Sequence, residues 1–135
     1  MQPANPLHSF CHSAASALVL ALLLSNAALA QVVPQAFLGT WSASWQTDRK
    51  SYDATMTLTE TGGTWHTLTR DRNNSCAGRE VPIKVASVTD GELQLVLQFS
   101  EALAGCPNAT VTLKATPDGI VSGTRSKFEL KMARK

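Results

Sequence analysis

The chain has 135 residues, with 12 Lys and Arg against 10 Asp and Glu and a formal net charge of +2. That length bounds it to one small domain, and so slight a positive surplus, with no stacking motif, excludes the footprint of a nucleic-acid binder. There is no Cys-x-x-Cys and no histidine cluster, so redox-active dithiols and zinc centres lack their ligand spacing, and no metal or cofactor is expected.

Ala14 to Leu24 is an unbroken run of small and apolar residues, followed by Ser25-Asn26 and then Ala28-Leu29-Ala30, the small-x-small pattern that signal peptidase reads. The run is shorter than the roughly 20 apolar residues a membrane span requires. Residues 1–30 are therefore expected to be a cleaved signal peptide, although the segment before the run carries His8 and His12 and no Lys or Arg. Cys11 precedes the run and so does not fit a lipoprotein acylation site. The expected product is a single domain, 31–135, periplasmic or secreted, with no membrane span after cleavage. It retains Cys76 and Cys106. In an oxidising compartment that pair reads as a disulfide, worth about 3–4 kcal/mol in the chain-entropy model.

The opening segment alternates Phe37, Gly39, Trp41, Ala43 and Trp45 on one face with Leu38, Thr40, Ser42 and Ser44 on the other, the period of a half-buried strand. Ser51 to Glu60 alternates Tyr52, Ala54, Met56 and Leu58 against a threonine-rich face, and Thr61-Gly62-Gly63 turns the chain. Thr64 to Arg72 is expected to return as a third strand, with Trp65, Thr67 and Thr69 on one side. A loop over 73–80 leads to a strand at Val81 to Thr89. An Asp90-Gly91 hairpin turn follows, then a strand at Glu92 to Ser100 with Leu93, Leu95, Leu97 and Phe99 inward. Ser100 to Gly105 has the cap and stop of one helical turn. Thr110 to Thr116, a Pro117-Asp118-Gly119 turn and Ile120 to Met132 complete the series. The result is an all-β, antiparallel up-and-down meander of seven strands, or eight if the last is broken near Gly123. A barrel is favoured over a sandwich because closure removes exposed edges.

Phe37-Leu38-Gly39-Thr40-Trp41 resembles the Gly-x-Trp opening of the lipocalin and avidin-like (calycin-type) barrels. The resemblance implies structural roles: Trp41, following Gly39, plugs one end, and a basic residue of the last strand, Arg134 or Lys131, lies across its indole. It covers five residues and the general meander, places none of avidin's ligand contacts, and so implies no biotin binding.

Trp45, Tyr52 and Trp65 are the candidate ligand-binding residues, because aromatics lining a barrel form an apolar wall and their polar tips orient a guest. The competing reading is that they fill the core. His66, the one histidine after residue 30, is read as structural, since no Gly-x-Ser-x-Gly or other nucleophile motif accompanies it. The basic residues of the C-terminal segment, Arg125 among them, are read as solvated outer positions. The expectation is a binding protein and not an enzyme: a carrier of a small apolar or amphipathic ligand. The alternative is a protein-binding module, such as an inhibitor of an extracytoplasmic hydrolase, that uses the cysteine-tethered loops.

Overall fold

The computed structural model describes residues 30–135, and the expected signal peptide, 1–29 of it, lies outside the described residues. Eight antiparallel strands close into a barrel in sequence order: β1 (Gly39–Gln46), β2 (Ser51–Thr59), β3 (Gly62–Thr67), β4 (Glu80–Thr89), β5 (Glu92–Leu97), β6 (Ala109–Ala115), β7 (Val121–Arg125) and β8 (Phe128–Arg134). Closure comes from β1 pairing with β8, with Trp41 opposite Arg134 and Ser44 opposite Lys131. No described helix is long and apolar enough to cross a membrane.

The two-residue alternation sets which side chains fill the interior. Trp41, Ala43 and Trp45 of β1, Ala54, Met56 and Leu58 of β2, and Leu93, Leu95 and Leu97 of β5 are all buried, while the residues between them are not. Hairpin turns at Gly91 and Gly119 use the left-handed backbone that glycine adopts without penalty. Val85 and Ser87 flank a register shift in β4, a bulge of the kind that helps a short barrel curve shut.

Three local expectations are corrected. β3 ends at Thr67 and not near Arg72, because Leu68 and Thr69 leave the ladder and donate their N–H groups to the Asp53 carbonyl instead. The following loop accordingly begins at residue 68. Phe99 points inward as expected but opens a single helical turn, α1 (Phe99–Ala102), after β5 has ended. The final break falls at Ser126-Lys127 and not near Gly123. Ser126 takes a positive φ of 55°, which gives the two-residue turn its reversal without a glycine.

Gly63 lies opposite Leu58 across the β2–β3 ladder, where an added Cβ would collide with the Thr57 carbonyl oxygen. That neighbour is backbone, so relief requires the two strands to separate. Gly63→Ala is expected to cost about 1–3 kcal/mol, read as a lower urea midpoint at unchanged slope.

The barrel has two different ends. At one, a short 3₁₀ turn (Gln35–Phe37) inserts Phe37, and the Trp41 indole N–H donates to the Phe37 carbonyl at 2.9 Å. The Arg134 guanidinium lies 4.2 Å from the Trp41 ring centroid and donates to the carbonyls of Leu38 and Ala36 at 2.6 and 3.1 Å. Gly39, with φ of 108°, leaves room for that arginine: a Cβ there would sit 3.1 Å from its Nη1. This end is plugged. The other is bordered by the β1–β2 and β7–β8 turns, by the 68–79 loop, and by the α1 segment.

Candidate functional site

The two long connections at the open end hold themselves in shape through side-chain caps. Asp71 Oδ1 accepts the Asn73 N–H at 3.1 Å, Asn74 Oδ1 accepts the Cys76 N–H at 3.0 Å, and Asn108 Oδ1 accepts the Ser100 N–H at 3.0 Å. These are turns in which a short polar side chain satisfies backbone that has left the ladder. The Cys76–Cys106 disulfide, spanning 30 residues of sequence, ties one connection to the other.

Under that tie lies a cavity of about 200 Å³. Its aromatic wall is Trp45, Tyr52 and Phe99; Thr67 and Arg125 project from the barrel, and Asn74, Cys76 and Pro107 from the tied connections. Trp45 and Tyr52 stack nearly parallel, with centroids 5.1 Å apart and planes 8° apart, because Trp45 and Tyr52 are direct partners across the β1–β2 hairpin.

Of the three aromatic residues expected to meet a ligand, Trp45 and Tyr52 line this cavity. Trp65 does not; it is fully buried opposite Met56, tilted against Trp45 at 5.7 Å, and its N–H donates to the Thr67 hydroxyl at 3.0 Å. It supports the wall from beneath. Phe99 and Arg125 were not among the expected ligand residues. Phe99 was legible as an inward position, whereas Arg125 required the parity of β7 to be followed from Val121 through Gly123, both buried.

Arg125 is the unusual member of the set. Its guanidinium lies 4.9 Å from the Trp45 ring centroid and 5.7 Å from that of Phe99. Burial pulls its pKa below the ordinary arginine value, opposed by the neighbouring Tyr52. Its Nε is buried with no hydrogen-bond partner.

Tyr52 shows the opposite electrostatics. Its pKa is raised, first by burial, then by the charge of Asp71 and by the hydrogen bond its hydroxyl donates to Asp71 Oδ2 at 3.3 Å, with Arg125 opposing. A raised phenol pKa means the folded chain holds its proton longer than the unfolded chain. The resulting stability is present below the unfolded value of about 10 and is lost as pH rises through the folded one. Tyr52 is the chain's one tyrosine, so phenolate absorbance reads it without overlap. The expected titration lies above that of a free phenol and moves down in Asp71→Asn.

The cavity wall supplies hydroxyls, an amide and a guanidinium, and neither histidine nor carboxylate. His66 lies on β3 between the inward Trp65 and Thr67, in register with Thr55 and Glu80. Among the described residues no group of three or more His, Cys, Asp or Glu could hold a metal ion. Larger depressions, of about 520 and 470 Å³, lie along β8, β1 and β2 and share Ser44, Asp53 and Lys131; the first also meets Leu68 and Met132, and the second Trp45 and Tyr52 together with Glu129. Among the described residues, the depression that shares Trp45 and Tyr52 sets Lys131 beside Asp53 and Glu129, whereas the lining of the open-end cavity joins the stacked rings to Arg125 with no carboxylate. No protein-family model, curated protein or solved structure matches the chain.

Proposed function

We propose that the chain is a non-catalytic, extracytoplasmic binding protein of lipocalin-like build, whose open barrel end receives a small amphipathic ligand. The observation that carries this reading is the cavity under the disulfide-tied connections, with Trp45, Tyr52 and Phe99 as walls and Thr67, Asn74 and Arg125 as polar contacts. An apolar recess with a few convergent polar groups is the usual form of a small-molecule site. The volume, about 200 Å³, is below the roughly 300–1,000 Å³ of drug-sized sites, which bounds the guest to about one ring and its substituents. The location is supported by the Cys76–Cys106 disulfide, a bond kept in oxidising compartments. The non-catalytic reading rests on the cavity wall, whose own lining carries neither histidine nor carboxylate; the carboxylate that touches it, Asp71, accepts a hydrogen bond from the Tyr52 hydroxyl, whose pKa is raised and which therefore keeps its proton.

A second reading keeps support from the same disulfide. The tie joins the two longest connections at one end of the barrel, as a protein-binding module that presents them to a partner would require. Native mass spectrometry of the mature, oxidised protein from its own secretory compartment separates the two. A reproducible adduct of small-molecule mass supports the carrier. A bare mass, two hydrogens below that of the reduced chain, counts against the carrier and directs the search to protein partners.

A further inference from the structure

Arg125 is an inward-facing cation in an otherwise apolar strand interior, following buried Val121 and Gly123 on β7. Partial burial among apolar side chains disfavours an ionised group unless it is paired. Among the described residues no carboxylate lies within ion-pairing distance of it; the ion pair present is Glu92 of β5 with Lys114 of the adjacent β6, where Lys114 is in register with Ser122 and not with Arg125. The guanidinium carbon lies over the rings of Trp45 and Phe99, 4.9 and 5.7 Å from their centroids. A guanidinium bonds in its plane, through the N–H edge, and here the buried Nε on that edge has no acceptor. What is missing is an acceptor in the plane of a fork, which a carboxylate supplies bidentately.

Charge around the cavity points the same way. The turns, connections and strand ends at the open end carry Arg49, Lys50, Arg70, Arg72, Arg79, Arg125 and Lys127 against Asp48, Asp71, Glu80, Glu101 and Glu129. The turns and strand ends at the plugged end carry Glu60, Asp90, Glu92 and Asp118 against Lys114, Arg134 and Lys135. The small positive surplus of the chain thus lies at the cavity end, a bias that favours the approach of anions. Asp71, the carboxylate hydrogen-bonded to this aromatic set, is engaged by the Tyr52 hydroxyl and by the Asn73 N–H.

Resting on the carrier reading, we infer that the guest is a small aromatic carboxylate: one flat ring seated against Trp45, Tyr52 and Phe99, its carboxylate paired with the edge of Arg125. The cavity size excludes a long acyl chain, and the stacked wall favours a flat guest over a branched one.

The test is a matched pair of probes, benzoate and benzamide, titrated calorimetrically into the mature, disulfide-intact protein. Acetate is included as charge without a ring. Benzoate is expected to bind at least about tenfold more tightly than benzamide, the loss that follows removal of one charge-assisted hydrogen-bonded pair. Acetate is expected to bind more weakly still, and added salt to weaken benzoate more than benzamide. Arg125→Gln should erase the preference for the acid, while Arg125→Lys, which keeps the charge and loses the fork, should retain part of it. The wild-type comparison stands even if Arg125→Gln does not fold. Equal affinity for acid and amide overturns the anion assignment and leaves the carrier reading standing. Unchanged benzoate affinity in a folded Arg125→Gln does the same. Binding of neither probe at millimolar concentration also overturns the assignment, and the carrier reading is then decided separately by the native mass.

Discussion

Trp65→Ala is expected to remove about 3–5 kcal/mol of stability, the range for truncating a large aromatic side chain in a packed core. Domains of this size have about 5–15 kcal/mol in all, so the variant would be weakly folded or unfolded at room temperature. Trp65 is inaccessible to solvent, pairs in register with Met56 and Val81, and supports Trp45 from below. Its removal leaves a void in the middle of the barrel, where both neighbouring strands are fixed by their ladders and cannot collapse inward. Trp45→Ala deletes the same side chain from a place that already borders a cavity, and the cost should be smaller because fewer contacts are lost. Urea denaturation of both variants, followed by circular dichroism, checks the order: the midpoint of Trp65→Ala should fall well below that of Trp45→Ala. Trp65→Phe should recover most of the loss. Thr67→Val then isolates the hydrogen bond, expected to be worth about 1 kcal/mol. Equal costs at the two tryptophans would mean that Trp45 belongs to the core and not to a binding wall.

How far the sequence reached is visible in these same residues. The inward parity of Trp41, Trp45, Tyr52 and Trp65 follows from alternation alone, and alternation with glycine-bearing turns led to the antiparallel barrel. Depth along the barrel axis did not follow. Whether an inward aromatic lies at the rim or in the middle depends on register with neighbouring strands. Thus Trp45 opposite Tyr52 lines a cavity, while Trp65 opposite Met56 is sealed under it. Arg125 was obscured for a different reason. With Ile120 to Met132 taken as one strand, its charge belonged to a cluster of solvated lysines and arginines. The Ser126-Lys127 turn that ends β7 has neither Asn-Gly nor Asp-Gly, and its reversal depends on a serine in a backbone region that such residues seldom occupy. Once that turn is placed, Arg125 is the last inward residue of β7 and Phe128 begins β8. The plugged end was legible through the resemblance carried by Gly39-Thr40-Trp41, which left Arg134 and Lys131 open as the basic residue; closure of β1 on β8 sets Arg134 opposite Trp41 and Lys131 opposite Ser44.

Replacing both cysteines, as Cys76→Ser with Cys106→Ser, is expected to cost about 3–4 kcal/mol, the chain-entropy value for a closed loop of 30 residues. The effect acts mainly through the unfolded chain, which loses a constraint and expands. Urea unfolding should therefore show a steeper denaturant slope together with a lower midpoint. The site should respond separately from the fold. Cys76 and Pro107 form part of the cavity wall, and the 68–79 connection is otherwise held by short-range Asx turns and by contacts such as that of Tyr52 with Asp71. Without the disulfide its amides should exchange with solvent by local opening, at free energies well below the global one, while the amides of β1, β2 and β5 fall only by the global loss. Ligand affinity should then drop by more than occupancy of the folded state explains, since the guest must also order the connection it binds beneath. If exchange at 68–79 falls in step with the strands instead, the connection is part of the cooperative core. The disulfide would then stabilise the fold without shaping the mouth.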